Sequence, residues 1–277
     1  MADYGTDQLL LDIADYVVGY EVSSRAAVKT ARYAILDAVG CALLSLNYPE
    51  CVKLLGPIVP GAAVKHGAHV IGTTHDVDPV TAAHGCATAT RWLDYNDAWL
   101  GAEWVHPSDV VGAILPLAEY LSRVRMERNL PSLTMKDVVV NAIKAYEVVG
   151  ILALENSLNQ IGVDHIMMTR VAVAAVATAM LGGGRREVAN AVSNAFADGA
   201  GCARAMPTRP VDLSRFLSFP FLSLPSIDSK PTADERTNER TNERLESGCG
   251  ASGIIRTTAR GKAGLRATPR PGASGSR

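Results

Sequence analysis

The chain has 277 residues, of which 48% are apolar, with 27 Lys and Arg balanced by 28 Asp and Glu. No apolar run reaches the roughly 20 residues of a membrane span, and the stretch before Ala203 is net acidic without a basic stripe, so a membrane segment and a nucleic-acid ligand are both argued against. The five cysteines form no C-x-x-C pair, and the start Met1-Ala2-Asp3-Tyr4-Gly5 has the form of neither a signal nor a transit peptide, so a cytoplasmic protein with buried thiols is expected, the mitochondrial matrix being the alternative in a eukaryote.

Apolar residues at helical spacing predict helices from Asp7 to Tyr20 and from Ser24 to Leu44, with Asp7 and Ser24 placed to accept the first free amides. Between Ala62 and Thr74 a Gly-punctuated alternation suits a short surface hairpin, the one convincing strand signal. Asp78-Pro79 opens a helix toward Trp92, and another is expected from Ser108 to about Arg123, kinked at Pro116. Thr134 with Asp137 resembles a capping box for a helix through Leu154. Asp164 is expected to cap an Ala-rich helix that stops at Gly182-Gly183-Gly184, followed by a helix from Glu187 to Phe196.

After Gly201 the periodicity stops. Five prolines between Pro207 and Pro231 precede a Glu-Arg-Thr-Asn tandem repeat and a Gly-, Ser- and Arg-rich end. The reading is an all-α helical domain over residues 1–201 with one short β-hairpin, then an unrelated tail over 202–277, disordered from about Asp228 because little apolar surface remains to offset chain entropy.

The chemistry concentrates between Arg91 and Asp109. All three tryptophans (Trp92, Trp99, Trp104) lie there among Arg91, Asp94, Asn96, Asp97, Glu103, His106 and Asp109. Any one of these residues is explained by a core-covering loop with its carboxylates in water. Together they describe a place where indoles exclude water and carboxylates tune an imidazole for proton transfer. His106 precedes Pro107-Ser108-Asp109 at a helix entrance whose dipole disfavours imidazolium, while Asp94 or Asp97 would favour it. His165 stands at a similar entrance beside Asp164, where a plain capping-region histidine is as good an explanation as function. Glu103-x-x-His106 matches half of a dinuclear metal motif, but a second such pair is absent from the sequence, so an organic acid–base site is preferred and no metal is assigned.

The run Arg91-Trp92-Leu93-Asp94-Tyr95-Asn96-Asp97-Ala98-Trp99-Leu100, continuing through Glu103-Trp104 and His106-Pro107-Ser108-Asp109, resembles the MmgE/PrpD family, most nearly its 2-methylcitrate dehydratases. Leu54 to Gly61, Leu154-Glu155-Asn156-Ser157 and Gly162-Val163-Asp164-His165 extend the match in order and spacing to about Gly199. The resemblance implies an all-α domain carrying much of an active site, completed by a smaller α/β domain and found as a homodimer. It implies a lyase, free of metal and cofactor, that removes water from the tricarboxylate 2-methylcitrate to give 2-methyl-cis-aconitate in propionate breakdown. Asp94, His106 and His165 fall at its active-site positions, with Arg91, Asn96 and Asp97 as substrate-binding candidates.

Departures qualify that picture. Ala98 stands where the family has a small hydroxyl or thiol residue, Val105 for a glycine, Val110 for an asparagine and Tyr146 for a histidine. Cys202 to Pro210 does not match the segment that supplies an active-site lysine, and the second domain is absent from this sequence. Three readings therefore stand: a 2-methylcitrate dehydratase, a related lyase such as an aconitate decarboxylase, and an inactive helical fragment.

Overall fold

Local side-chain chemistry starts several helices where the sequence places them. The computed structural model describes residues 7–62 and 64–198, so the tail expected over 202–277 lies outside the described residues. Helix α1 spans Gln8–Gly19 and α2 spans Arg25–Ser45, where Ser24 accepts Ala27 N at 3.2 Å. Asp7 behaves differently from expectation: its side chain makes no capping bond, and its main-chain carbonyl instead receives Leu10 N and Leu11 N. A short α3 (Pro49–Val52) follows. Helix α4 (Pro79–Arg91) is capped by Asp78 Oδ1, which accepts Val80 N and Thr81 N at 3.0 Å each. The reciprocal box of Thr134 and Asp137 opens α6 (Met135–Glu155).

Between these two, a four-residue 3-10 turn (Pro107–Val110) runs into α5 (Val111–Glu127), with Pro116 inside. Helix α7 covers Ile166–Met180, its first amide, Ile166 N, accepted by Asp164 Oδ1 at 2.9 Å. Helix α8 covers Arg185–Asp198.

The hairpin expected between Ala62 and Thr74 is displaced toward the C-terminus. Strand β1 (Ala68–His69) pairs antiparallel with β2 (Asp76–Val77), Ala68 opposite Val77. Gly72, at φ +72°, and Thr73, whose hydroxyl donates to Val70 O and accepts His75 N, make the connection. A second hairpin, β3 (Trp99–Leu100) with β4 (Trp104–Val105), was not expected. Its strands are too short to show alternation, and main-chain bonds to α6 hold it: Ala102 N donates to Leu154 O and Glu103 N to Ala153 O.

Small residues let the helices approach closely. A Cβ on Gly112 of α5 would stand 2.8 Å from the backbone of Ala87 in α4, so these helices touch almost main chain to main chain. The core is correspondingly rich in Val and Ala, with Ile13, Val105, Val148, Val171, Val176, Val188 and Val192 fully buried. Lys144, buried on α6, donates to Val17 O at 2.7 Å and satisfies a terminal carbonyl of α1. Among the described residues, no helix is long and apolar enough to cross a membrane.

Candidate active site

The end of α4, the β3–β4 hairpin, the 3-10 turn and the start of α7 bring together most of the residues singled out in the sequence. Arg91, in the last turn of α4, is the hub. Its guanidinium donates to Asn96 Oδ1 at 2.6 Å, pairs with Asp94 Oδ1 at 2.8 Å and faces Asp109 Oδ1 at 3.6 Å. Asn96 is buried and fully engaged, since its Nδ2 also donates to Ser108 Oγ at 2.9 Å and Asp109 Oδ1 at 3.0 Å.

Asp97 anchors both His106 and the turn that follows it. Its carboxylate accepts Ser108 N at 3.0 Å, and its main-chain carbonyl lies 2.7 Å from His106 Nδ1. A carbonyl can only accept, so Nδ1 carries the proton and Nε2 is the free basic atom of neutral imidazole. Nε2 stands 3.6 Å from Asp94 Oδ1. Asp94 itself is exposed and sits at φ +55°, a left-handed conformation uncommon outside glycine and the short polar residues. The helix entrance inferred for His106 is a 3-10 turn, and α5 begins only at Val111, so its dipole is set back from the imidazole.

Trp104 joins the two histidines. Its ring centroid lies 5.8 Å from His106 in an edge-on arrangement and 3.9 Å from His165. Burial pulls His165 below its ordinary pKa, against the opposing carboxylates of Asp164 and Glu103, so it is held toward the neutral form.

The match to known proteins decides the family. The MmgE/PrpD N-terminal domain matches residues 11–218. The chain belongs to the MmgE/PrpD family. It is 51% identical over 193 residues to the 2-methylcitrate dehydratase of Escherichia coli (strain K12), covering 70% of this chain and 40% of that protein. It is 45% identical over 195 residues to the mitochondrial 2-methylcitrate dehydratase of Yarrowia lipolytica, covering 70% and 38%, and 40% identical over 197 residues to a 2-methylcitrate dehydratase-like protein of Aspergillus oryzae, covering 70% and 40%. The chain thus spans about 40% of the length of the curated relatives it matches.

Three further groups lie at this candidate site, of which the sequence marks Asp109 only as a member of the cluster, Glu103 as a member and half of a metal motif, and Tyr146 only as a departure from the family. Asp109 has its side chain 9% exposed, and burial pushes its pKa up to about 6, against the lowering influence of Arg91, the Asn96 hydrogen bond and His106. Tyr146 reaches in from α6. Its hydroxyl is buried, close enough to Asp97 and Ser108 for them to bear on it, yet completes a well-formed hydrogen bond with neither. Burial first, then the Asp97 charge, raises its pKa.

Glu103, read above as half of a metal motif, is instead an anchor. Oε1 accepts Trp104 N and Asn159 Nδ2, while Oε2 accepts Ser157 Oγ and Asn159 N. Burial pushes its pKa upward, but these donors outweigh it and leave the pKa below the usual carboxylate range. Among the described residues, no three His, Cys, Asp or Glu side chains converge in a way that could hold a metal ion. The spacing of Glu103 from Asn159 hides this role in the sequence; only the Glu-Asn-Ser run before Asn159 hints at it.

Proposed function

We propose that the described residues form the helical part of a hydro-lyase site that removes water from 2-methylcitrate. The observation that carries the reading is the geometry of His106, with Nδ1 fixed on the Asp97 carbonyl and Nε2 left as a base beside Asp94. In the proposed reaction Nε2 takes the proton from the carbon adjacent to a substrate carboxylate. The neighbouring carbon loses its hydroxyl, which leaves as water after receiving a proton, and the electron pair of the broken C–H bond becomes the new C=C bond.

Asp94 stabilises the imidazolium that this step creates. His165, the other imidazole flanking Trp104, is assigned as the proton donor on its position beside the same indole as His106. Arg91 is the proposed carboxylate holder. Asn96 and Asp97 are assigned to positioning, Asn96 by fixing Arg91 and Asp97 by fixing His106. The relatives' names support this substrate, a small tricarboxylate, with no cofactor assigned. The cytoplasm is the proposed location, with the matrix as alternative because one relative is named mitochondrial. A helical unit ending near residue 201 and assembly as a pair of identical chains are proposed with it.

A second reading, an inactive fragment, is favoured by one observation. Arg91 is already engaged by Asp94, Asn96 and Asp109, so a tricarboxylate needs cations beyond it. The test compares the chain as given with one continued to the length of the relatives, following the ultraviolet absorbance of the new conjugated alkene. Dehydration by the longer chain and none above background by the shorter is expected. Release of carbon dioxide from cis-aconitate, without action on 2-methylcitrate, would move the assignment to a decarboxylase.

A further inference from the structure

Helix α6 packs one face behind the site loop, against the 3-10 turn and both strands of the β3–β4 hairpin. Gly150 leaves the room that the Trp99 ring occupies, since a Cβ there would stand 3.4 Å from Trp99 Cζ2, and one turn later Ala153 O and Leu154 O take the Glu103 and Ala102 amides. Tyr146 stands one turn before Gly150 on the same face and brings its buried hydroxyl close to Asp97 and Ser108. A buried hydroxyl that finishes no hydrogen bond weakens the fold, so its presence beside the site calls for a reason.

The donors and acceptors around it run in one direction. Arg91 donates to Asn96 Oδ1 at 2.6 Å, and Asn96 Nδ2 donates to Ser108 Oγ at 2.9 Å. Ser108 is fully buried, and because its oxygen already accepts, its own hydrogen has to go onward. The Tyr146 oxygen is an acceptor beside it. Burial and the Asp97 charge keep the phenol protonated, so Tyr146 has a hydrogen to pass on in turn. The Asp97 carboxylate takes one bond from Ser108 N and has lone pairs to spare, and the main-chain carbonyl of the same residue lies 2.7 Å from His106 Nδ1.

We propose that Tyr146 is a positioning residue for His106: its hydroxyl accepts from Ser108 and donates to Asp97, joining the arm that holds Arg91 to the arm that holds the imidazole. Neither bond meets full hydrogen-bond geometry in the structure. With no water competing for the phenol, the nearby carboxylate is the partner onto which it closes. Tyr146 thus acts through Asp97 and touches no reacting atom itself.

Exchange of the His106 Nδ1 proton with solvent, followed in the downfield proton resonances of the full chain, tests the link without reference to catalysis. Loss of the resonance in His106→Gln identifies it. Tyr146→Phe keeps the ring and removes only the oxygen, and it is expected to speed that exchange roughly 3- to 10-fold, as the loss of one hydrogen bond allows. Ser108→Ala is expected to speed it too, and the double variant no further than the worse single one, because both act in one chain of bonds. In a chain continued to the length of the relatives, a measurement that rests on the dehydratase reading, Tyr146→Phe is expected to lower kcat by roughly the same 3- to 10-fold and leave KM nearly unchanged, since Arg91 keeps Asp94, Asn96 and Asp109.

Unchanged exchange in Tyr146→Phe would overturn the proposal. A double variant whose effect is the product of the two single ones would overturn it as well, marking Tyr146 and Ser108 as independent packing groups. A raised KM with kcat intact would place Tyr146 on the Arg91 arm alone and count equally against it. No dehydration by the unsubstituted longer chain would end the dehydratase reading and leave the exchange measurement to decide the link by itself.

Discussion

The indole of Trp104 lies over the imidazole of His165 with ring centroids 3.9 Å apart and planes tilted by 42°. Trp104 comes from a two-residue strand and His165 from the entrance to α7, so the contact couples the loop to a rigid helix. Burial is the main cause of the depressed His165 pKa. Trp104→Leu should uncover the ring and move its titration midpoint up toward the ordinary histidine value, as read by nuclear magnetic resonance of the imidazole protons. An unchanged or lower midpoint would count against the indole as the source of the shift.

His106→Gln, made in a chain continued to the length of the relatives, should lower kcat by about 10²–10⁴-fold, the usual contribution of a general base. The melting temperature should change little. Near-normal turnover would leave His106 as a loop anchor only.

Asp109→Asn should change how stability depends on pH. The folded-state pKa of about 6 lies above the ordinary 3.8, so the folded chain holds this proton more tightly than the unfolded one. Below about pH 4 the carboxyl is protonated in both states and costs nothing. Stability is then lost as pH rises from 4 through 6, by roughly 2–3 kcal/mol. Denaturant unfolding at pH 4.5 and 7.5 should show that loss in the wild type and a smaller one in the variant. Equal slopes would refute the assignment.

Gly101→Ala should destabilise the fold by about 1–3 kcal/mol, the usual cost of overpacking. Its Cβ would meet Ala153 O at 2.6 Å and Leu154 Cα at 2.7 Å, both backbone atoms at the end of α6. Chemical denaturation checks it, and a neutral result would mean that the hairpin can lift off α6 freely.

What could be read in advance was chemistry whose partners lie close in sequence. Ser24, Asp78 and the Thr134–Asp137 pair each satisfy amides two or three residues away, so spacing alone reveals them. Asp7 has the right residue type, yet its carboxylate leaves the cap unmade. The β3–β4 hairpin was invisible because its main-chain partners sit about fifty residues later on α6. Density of Trp, His and Asp singled out a candidate site, and Arg91, Asp94, Asn96, Asp97 and His106 are close together in the structure. That Asn96 and Asp97 hold neighbours in place, and that Tyr146 arrives from another helix, depends on distances no linear pattern encodes.

The anchoring of Glu103 has a consequence for motion. Four donors grip its carboxylate, and the amides of Ala102 and Glu103 close on carbonyls of the last turn of α6. A loop tied in this way has no opening transition of its own, and it frays only when that turn frays, as one cooperative unit. Amide hydrogens of Ala102 and Glu103 should therefore exchange with solvent at the pace of the terminal amides of α6. The spacing between Arg91 and His106 would then already be set before a ligand arrives, sparing binding the entropy of assembling it.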